Sequence, residues 1–145
     1  MNWLQRRLNL DETSISKMIR RFPQILGYSI EENMEPTLVW LQKRLSLSDS
    51  GLSTLMQQMP SLFGCRIETN IEPTLNFYIE ALGNEDRALN LVIGMPALIG
   101  YSLENRLKPR LQEAQNCGMI INEGCLRQMG CYTNEKWSRR IDKHS

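Results

Sequence analysis

Two prolines thirteen residues apart recur along this chain, and that recurrence limits the fold more than any other feature. Pro23, Pro60 and Pro96 lie 37 and 36 residues apart, and Pro36, Pro73 and Pro109 keep the same two intervals. The stretches around them align without gaps: FPQILGYSIEENMEPTL over 22–38, MPSLFGCRIETNIEPTL over 59–75, and MPALIGYSLENRLKPRL over 95–111. Two landmarks that agree on one period define an internal repeat. A repeat of this length, with no alternating strand pattern, predicts stacked helix pairs, an α-solenoid.

The helices can be read between the prolines. Ile15, Met18, Ile19 and Phe22 follow the spacing of one helical face, as do Leu52, Leu55, Met56 and Met59, and then Ala88, Leu91, Val92 and Met95. Asp11 or Thr13 is the candidate cap of the first of these helices, and Asp49 or Ser50 of the second. Each helix runs into Pro23, Pro60 or Pro96. A proline pushes the residue before it out of the α region, so the helix stops there, and the following P-x-[IL]-[ILF]-G piece predicts a 3₁₀-like turn. The second helix of each repeat is expected to start near Pro36, Pro73 or Pro109, with Asn33 and Asn70 as caps three residues earlier. Its buried face is Leu38, Leu41 and Leu45, then Leu75, Tyr78 and Leu82. In the third copy it thins to Leu111 and Ala114, with Gly118 in place of the last large residue.

Residues 3–10, WLQRRLNL, return as WLQKRLSL at 40–47. The chain therefore opens part-way through a repeat. The expected division is one domain over 1–145, with a partial repeat at 1–22, repeats at 23–59, 60–95 and 96–131, and a terminal cap at 132–145, where Tyr132 takes the slot of a fourth proline. A half-repeat leaves Trp3, Leu4 and Leu8 uncovered, which predicts a trimmed N-terminus or a protein partner on that face.

Composition narrows the function. A chain of 145 residues that is 41% hydrophobic and 23% charged is an ordinary globular protein, and its net charge of +1 hides a segregation. Through Phe22 there are five basic against two acidic residues; the middle two repeats are net acidic, and the chain is basic again from Pro96 onward. Basic ends suit an anionic partner but not one unbroken basic groove. Cys65, Cys117, Cys125 and Cys131 form no C-x-x-C pair and the single histidine is His144, so no zinc site and no cofactor is expected. No apolar run nears the roughly 18 residues of a membrane span. The opening MNWLQRRLNLDE is neither a signal peptide nor a Ser-rich transit peptide.

The local sequence is more specific than the period. A helix ending in P-x-[IL]-[ILF]-G-[YC]-S-[IL]-E and followed by N-[MI]-E-P-T-L resembles the mitochondrial transcription termination factor (mTERF) family, over roughly residues 3–129. The resemblance implies two α-helices and a 3₁₀ helix per repeat in a curved superhelix. It also implies an organellar location, mitochondrion or chloroplast, and binding of double-stranded DNA or RNA in transcription, its termination or RNA maturation.

No catalytic motif is present: there is no Walker loop, dinucleotide fingerprint, H-E-x-x-H or G-x-S-x-G, so no enzyme is expected. Nucleic-acid binding then rests on cations that can reach phosphates. The candidates are Arg6, Arg7, Arg20, Arg21, Lys43, Arg44, Arg66, Arg106, Lys108 and Arg110, with Arg139 and Arg140 beyond them. Trp40, Tyr28, Tyr78 and Tyr101 could stack on bases, but their places on helix faces favour packing between repeats. The rival class is a protein-interaction solenoid. A monomer is the expected state.

Overall fold

A computed structural model describes residues 2–144. It contains α1 (Asn2–Arg7), α2 (Glu12–Arg21), α3 (Glu35–Arg44), α4 (Asp49–Gln58), α5 (Glu72–Leu82), α6 (Glu85–Gly94), α7 (Ala97–Gly100), α8 (Lys108–Asn116), α9 (Glu123–Cys131) and α10 (Asn134–His144). There is no strand among the described residues, so the all-α repeat fold expected from the prolines holds. The chain gathers into two compact units that divide after Ile67. Among the described residues no helix is long and apolar enough to cross a membrane.

Each repeat is punctuated at four places. The first helix begins on a side-chain cap: Asp11 accepts from the Ser14 N–H, Ser48 from Gly51, Asn84 from Arg87 and Asn122 from Cys125. Each such acceptor satisfies one orphan donor, at about 1 kcal/mol. In the second helix the cap is thus Ser48, not Asp49 or Ser50. The prolines then stop the helix as expected, and Pro23–Gly27 and Pro60–Gly64 close as 3₁₀ turns. The third copy differs: Ala97–Gly100 closes as a single α-turn.

The second helix starts earlier than the prolines suggest. Ile30–Met34 and Leu103–Leu107 are wide π-turns, capped by Ser29, which accepts from Glu32 N–H, and by Ser102, which accepts from Asn105 N–H. Met34 N–H reaches back five residues to the Ser29 carbonyl at 2.9 Å, and Leu107 to Ser102 at 3.0 Å. Pro36 and Pro109 follow directly. A proline inside a regular α-helix presses its ring on the carbonyl four residues back; the wider turn relieves that contact. Asn33 is therefore no cap. Its Nδ2 donates to the Phe63 carbonyl at 3.0 Å, tying one proline turn to the next. Arg106, which fills the same slot in the third copy, likewise donates to the Gly130 carbonyl.

The second helix ends on a left-handed residue. Asn9 and Ser46 both have φ 54°, Gly83 has φ 67° and Gly118 φ 77°. Leu10 N–H returns to the Gln5 carbonyl, Leu47 to Gln42 and Met119 to Ala114, the six-to-one bond of a Schellman cap. Gly118 is thus the cap of α8, not a lost core residue as the spacing suggested.

Most of the expected faces are buried, while Ile19, Phe22, Met59, Leu82, Met95 and Leu111 are half-buried. Leu38, Leu41, Leu52, Met56, Leu75, Val92 and Ala114 are fully buried, and Tyr78 is too, donating its hydroxyl to the Leu98 carbonyl at 2.7 Å. Burial pushes that phenol well above its ordinary range. The N-terminal expectation is corrected. Leu4 and Leu8 are 0% and 2% exposed and Trp3 is half-buried, because the Asn9 cap folds α1 back against α2. The chain's own second helix covers that face, so the protein-partner site expected on Trp3, Leu4 and Leu8 is not there.

Candidate nucleic-acid interface

Helix α2 carries the first basic cluster. Ile15 and Met18 turn inward, which leaves Lys17, Arg20 and Arg21 exposed at i, i+3 and i+4, one above the other on the opposite face. A groove beside them is lined by Ser14, Lys17, Met18, Arg20, Arg21 and Gln57, with no carboxylate in its wall. Arg21 is fixed there: its Nη1 donates to the Gln57 carbonyl at 2.8 Å and its Nη2 to Gln58 at 2.9 Å. Those are among the last carbonyls of α4, which lack helical partners and sit at the negative end of the helix. Lys17 and Arg20 have no hydrogen bond or ion pair among the described residues. Lys17 acts electrostatically on Asp11, whose carboxyl is held below its usual value by the Ser14 N–H first, with Lys17 adding to the effect.

The other candidates from the first unit are scattered. Arg7 Nε meets Glu35 Oε2 at 2.9 Å, so its charge is largely matched. Arg6 is exposed beside Asn9 and Asp49 in a separate shallow groove. Lys43, exposed, and Arg44, half-buried, stand at the end of a third, apolar groove along α3. Arg7 and Arg44 are repeat equivalents, but they line different grooves.

Arg66 is of a different kind. It occupies the slot held by Ser29 and Ser102 in the other copies, immediately before the wide turn Ile67–Ile71. Serine caps that turn; arginine has no acceptor with which to do so, and a cation at a helix N-terminus opposes the dipole. Local stability gives no reason for an exposed arginine there.

In the second unit the expected cations are mostly structural. Arg110 is only 4% exposed. Its Nη1 donates to the Met129 carbonyl at 2.8 Å and to the Tyr132 carbonyl at 2.7 Å, and its Nη2 to Asn134 Oδ1 at 3.0 Å. Burial, and then Arg106 nearby, pull its guanidinium below the ordinary value. It is not placed to meet a phosphate. Arg106 is half-buried, lies 5.5 Å from the Tyr101 ring centroid and donates to Gly130. Lys108 pairs with Glu104 at 2.6 Å, an exposed i, i+4 pair that contributes little.

A cluster that the candidate list largely missed lies on α10. Lys136, Arg139, Arg140 and Lys143 fall at i, i+3, i+4 and i+7, on a face beside Trp137, which is 3% exposed. Arg139 and Lys143 are exposed and have no hydrogen bond or ion pair among the described residues. Arg140 Nε reaches Gln128 Oε1 at 3.2 Å, and Lys136 Nζ lies 4.4 Å above the Tyr132 ring. The signal was present in NEKWSRRIDKHS, a basic stripe in helical register with Trp137 and Ile141, but a polar C-terminal segment reads first as a solvated tail. Lys17 was missed for the same reason: it stands alone in the sequence, and only the helix brings it beside Arg20 and Arg21.

The three tyrosines pack, as the helix faces suggested, whereas Trp40 is half-buried and lines the α3 groove. Tyr78 is buried, the Tyr28 ring centroid lies 5.9 Å from that of Phe22, and Tyr101 lies under Arg106. The thiols of Cys65 and Cys125 are pushed up by burial, away from nucleophilic use.

Stacked helix pairs with a basic stripe in each compact unit make a helical-repeat scaffold that offers charge for binding. The mTERF family model matches residues 1–137, and the chain belongs to the mTERF family. No curated protein matches it.

Proposed function

We propose that this protein binds DNA or RNA through the phosphate backbone and regulates organellar transcription, its termination or RNA maturation, without catalysis. The observation that carries the reading is the α2 stripe: Lys17, Arg20 and Arg21 stand together beside a groove whose wall holds no carboxylate. Cations in such a place attract a polyanion and release its counterions. Arg66 and the α10 stripe of Arg139 and Lys143 are the further contacts, each exposed. Family membership supports the nucleic-acid and organellar parts of the reading. Nothing in these clusters reads a base edge, so binding is expected to be largely independent of sequence.

The test is fluorescence anisotropy with labelled duplex DNA, single-stranded RNA and duplex RNA of arbitrary sequence at about 50 mM salt. Saturable binding to at least one polymer is expected. No anisotropy change with any of the three overturns the proposal in favour of a protein-interaction scaffold.

A further inference from the structure

The α2 groove has a second wall, on α4, whose chemistry is not cationic. In a helical repeat, equivalent positions on successive first helices stand side by side. Lys17 and Arg20 of α2 correspond to Thr54 and Gln57 of α4, and Gln57 lines the groove together with Lys17 and Arg20. Thr54 lies three residues back along α4, in the wall of the shallow groove that Arg6 also lines. A stripe of cations on α2 therefore runs beside a stripe of neutral side chains on α4.

The neutral stripe presents oxygen. Thr54 Oγ1 donates its hydrogen to the Ser50 carbonyl at 2.9 Å, so only its lone pairs remain for a ligand. Gln57 Nε2 donates to Ser53 Oγ at 3.1 Å, which turns the amide nitrogen toward a serine that is 8% exposed. Gln57 Oε1 is left without a partner among the described residues. Asp49, in the same wall as Thr54, accepts from Gln42 Nε2 at 2.9 Å and is an acceptor too. The fold does not dictate these groups: the slots of Ser53 and Gln57 hold Ser16 and Arg20 in α2, and Leu89 and Ile93 in α6. Oxygen acceptors repel phosphate oxygens and call for a donor. Between its phosphates an RNA strand offers one, the ribose 2′-hydroxyl, where DNA carries only carbon-bound hydrogen. Resting on the backbone-binding reading above, we infer that this groove selects RNA over DNA. Lys17 and Arg20 hold the phosphates, and ribose 2′-hydroxyls donate to Thr54 Oγ1 and Gln57 Oε1.

The test is fluorescence anisotropy with one arbitrary sequence labelled as RNA, as DNA and as 2′-O-methyl RNA, each as single strand and as duplex. In the form that binds best, RNA should bind about five- to tenfold tighter than DNA, the effect of one or two hydrogen bonds. 2′-O-methyl RNA keeps the ribose but cannot donate from it, so it should bind about as weakly as DNA. The double variant Thr54→Val, Gln57→Leu keeps every charge. It should retain its helical circular dichroism and bring the ratio of RNA to DNA affinity to about one. Equal affinity for RNA and DNA, 2′-O-methyl RNA binding as tightly as RNA, or a preference that survives the double variant overturns the inference and leaves the backbone-binding reading standing. Absence of binding to every polymer removes both.

Discussion

The guanidinium of Arg110 lies over the indole of Trp137, 5.6 Å from carbon to ring centroid, and so ties α8 to the last helix. Its hydrogens are spent on the Met129 and Tyr132 carbonyls and on Asn134. Arg110→Ala leaves these acceptors without their donor, two of them main-chain carbonyls. We expect a loss of about 3 kcal/mol in urea unfolding. Arg110→Lys should recover only part of it, because an ammonium cannot span the fork. A loss below about 0.5 kcal/mol for the alanine variant would contradict the structural role.

That residue also shows what the sequence could and could not disclose. The prolines and the apolar faces are local signals, so the repeat and the all-α fold were legible from spacing alone. Arg110 sits in KPR at a helix start and reads as a surface cation, yet its acceptors lie 19 to 24 residues further on. Arg106 and Arg21 were equally opaque, since each reaches a carbonyl at least 24 residues away. A cation's role is set by what the fold brings to it. For the same reason the wide turns before Pro36 and Pro109 were invisible: the sequence offers Asn33 as a cap, and only the path of the chain makes Ser29 the cap and Asn33 a tie.

Ser46 holds a left-handed backbone that the equivalent Gly83 and Gly118 adopt without a Cβ. L-residues lose roughly 1–2 kcal/mol in that conformation, partly offset by the greater freedom of glycine in the unfolded chain. Ser46→Gly is therefore expected to stabilise the protein by about 0.5–1 kcal/mol, raising the urea midpoint without a change of slope. A lowered midpoint would contradict the cap assignment.

Arg87 and Glu123 pair in a bidentate bond across one repeat interval, between the first turns of α6 and α9. The hydrogen bond from Arg87 holds the Glu123 carboxyl at about 2, below its ordinary 4.5. A carboxyl depressed in the folded state contributes stability above its unfolded value and loses it as pH falls through the folded one. Arg87→Gln should therefore lower the thermal midpoint slightly at pH 6, and the gap should close between pH 4.5 and pH 2. A gap that is constant across this window would mean that the pair does not couple to folding.

The binding proposal is tested most directly by the salt dependence of affinity in the double variant Lys17→Ala, Arg20→Ala. Both side chains are exposed and have no bond among the described residues, so the melting temperature should not change. Each phosphate contact contributes roughly −0.7 to −0.9 to the slope of log K against log salt concentration. The variant should bind more weakly on every sequence tried, with a slope shallower by about 1 to 2. An unchanged slope and affinity would place the nucleic acid elsewhere and contradict the α2 groove as its site.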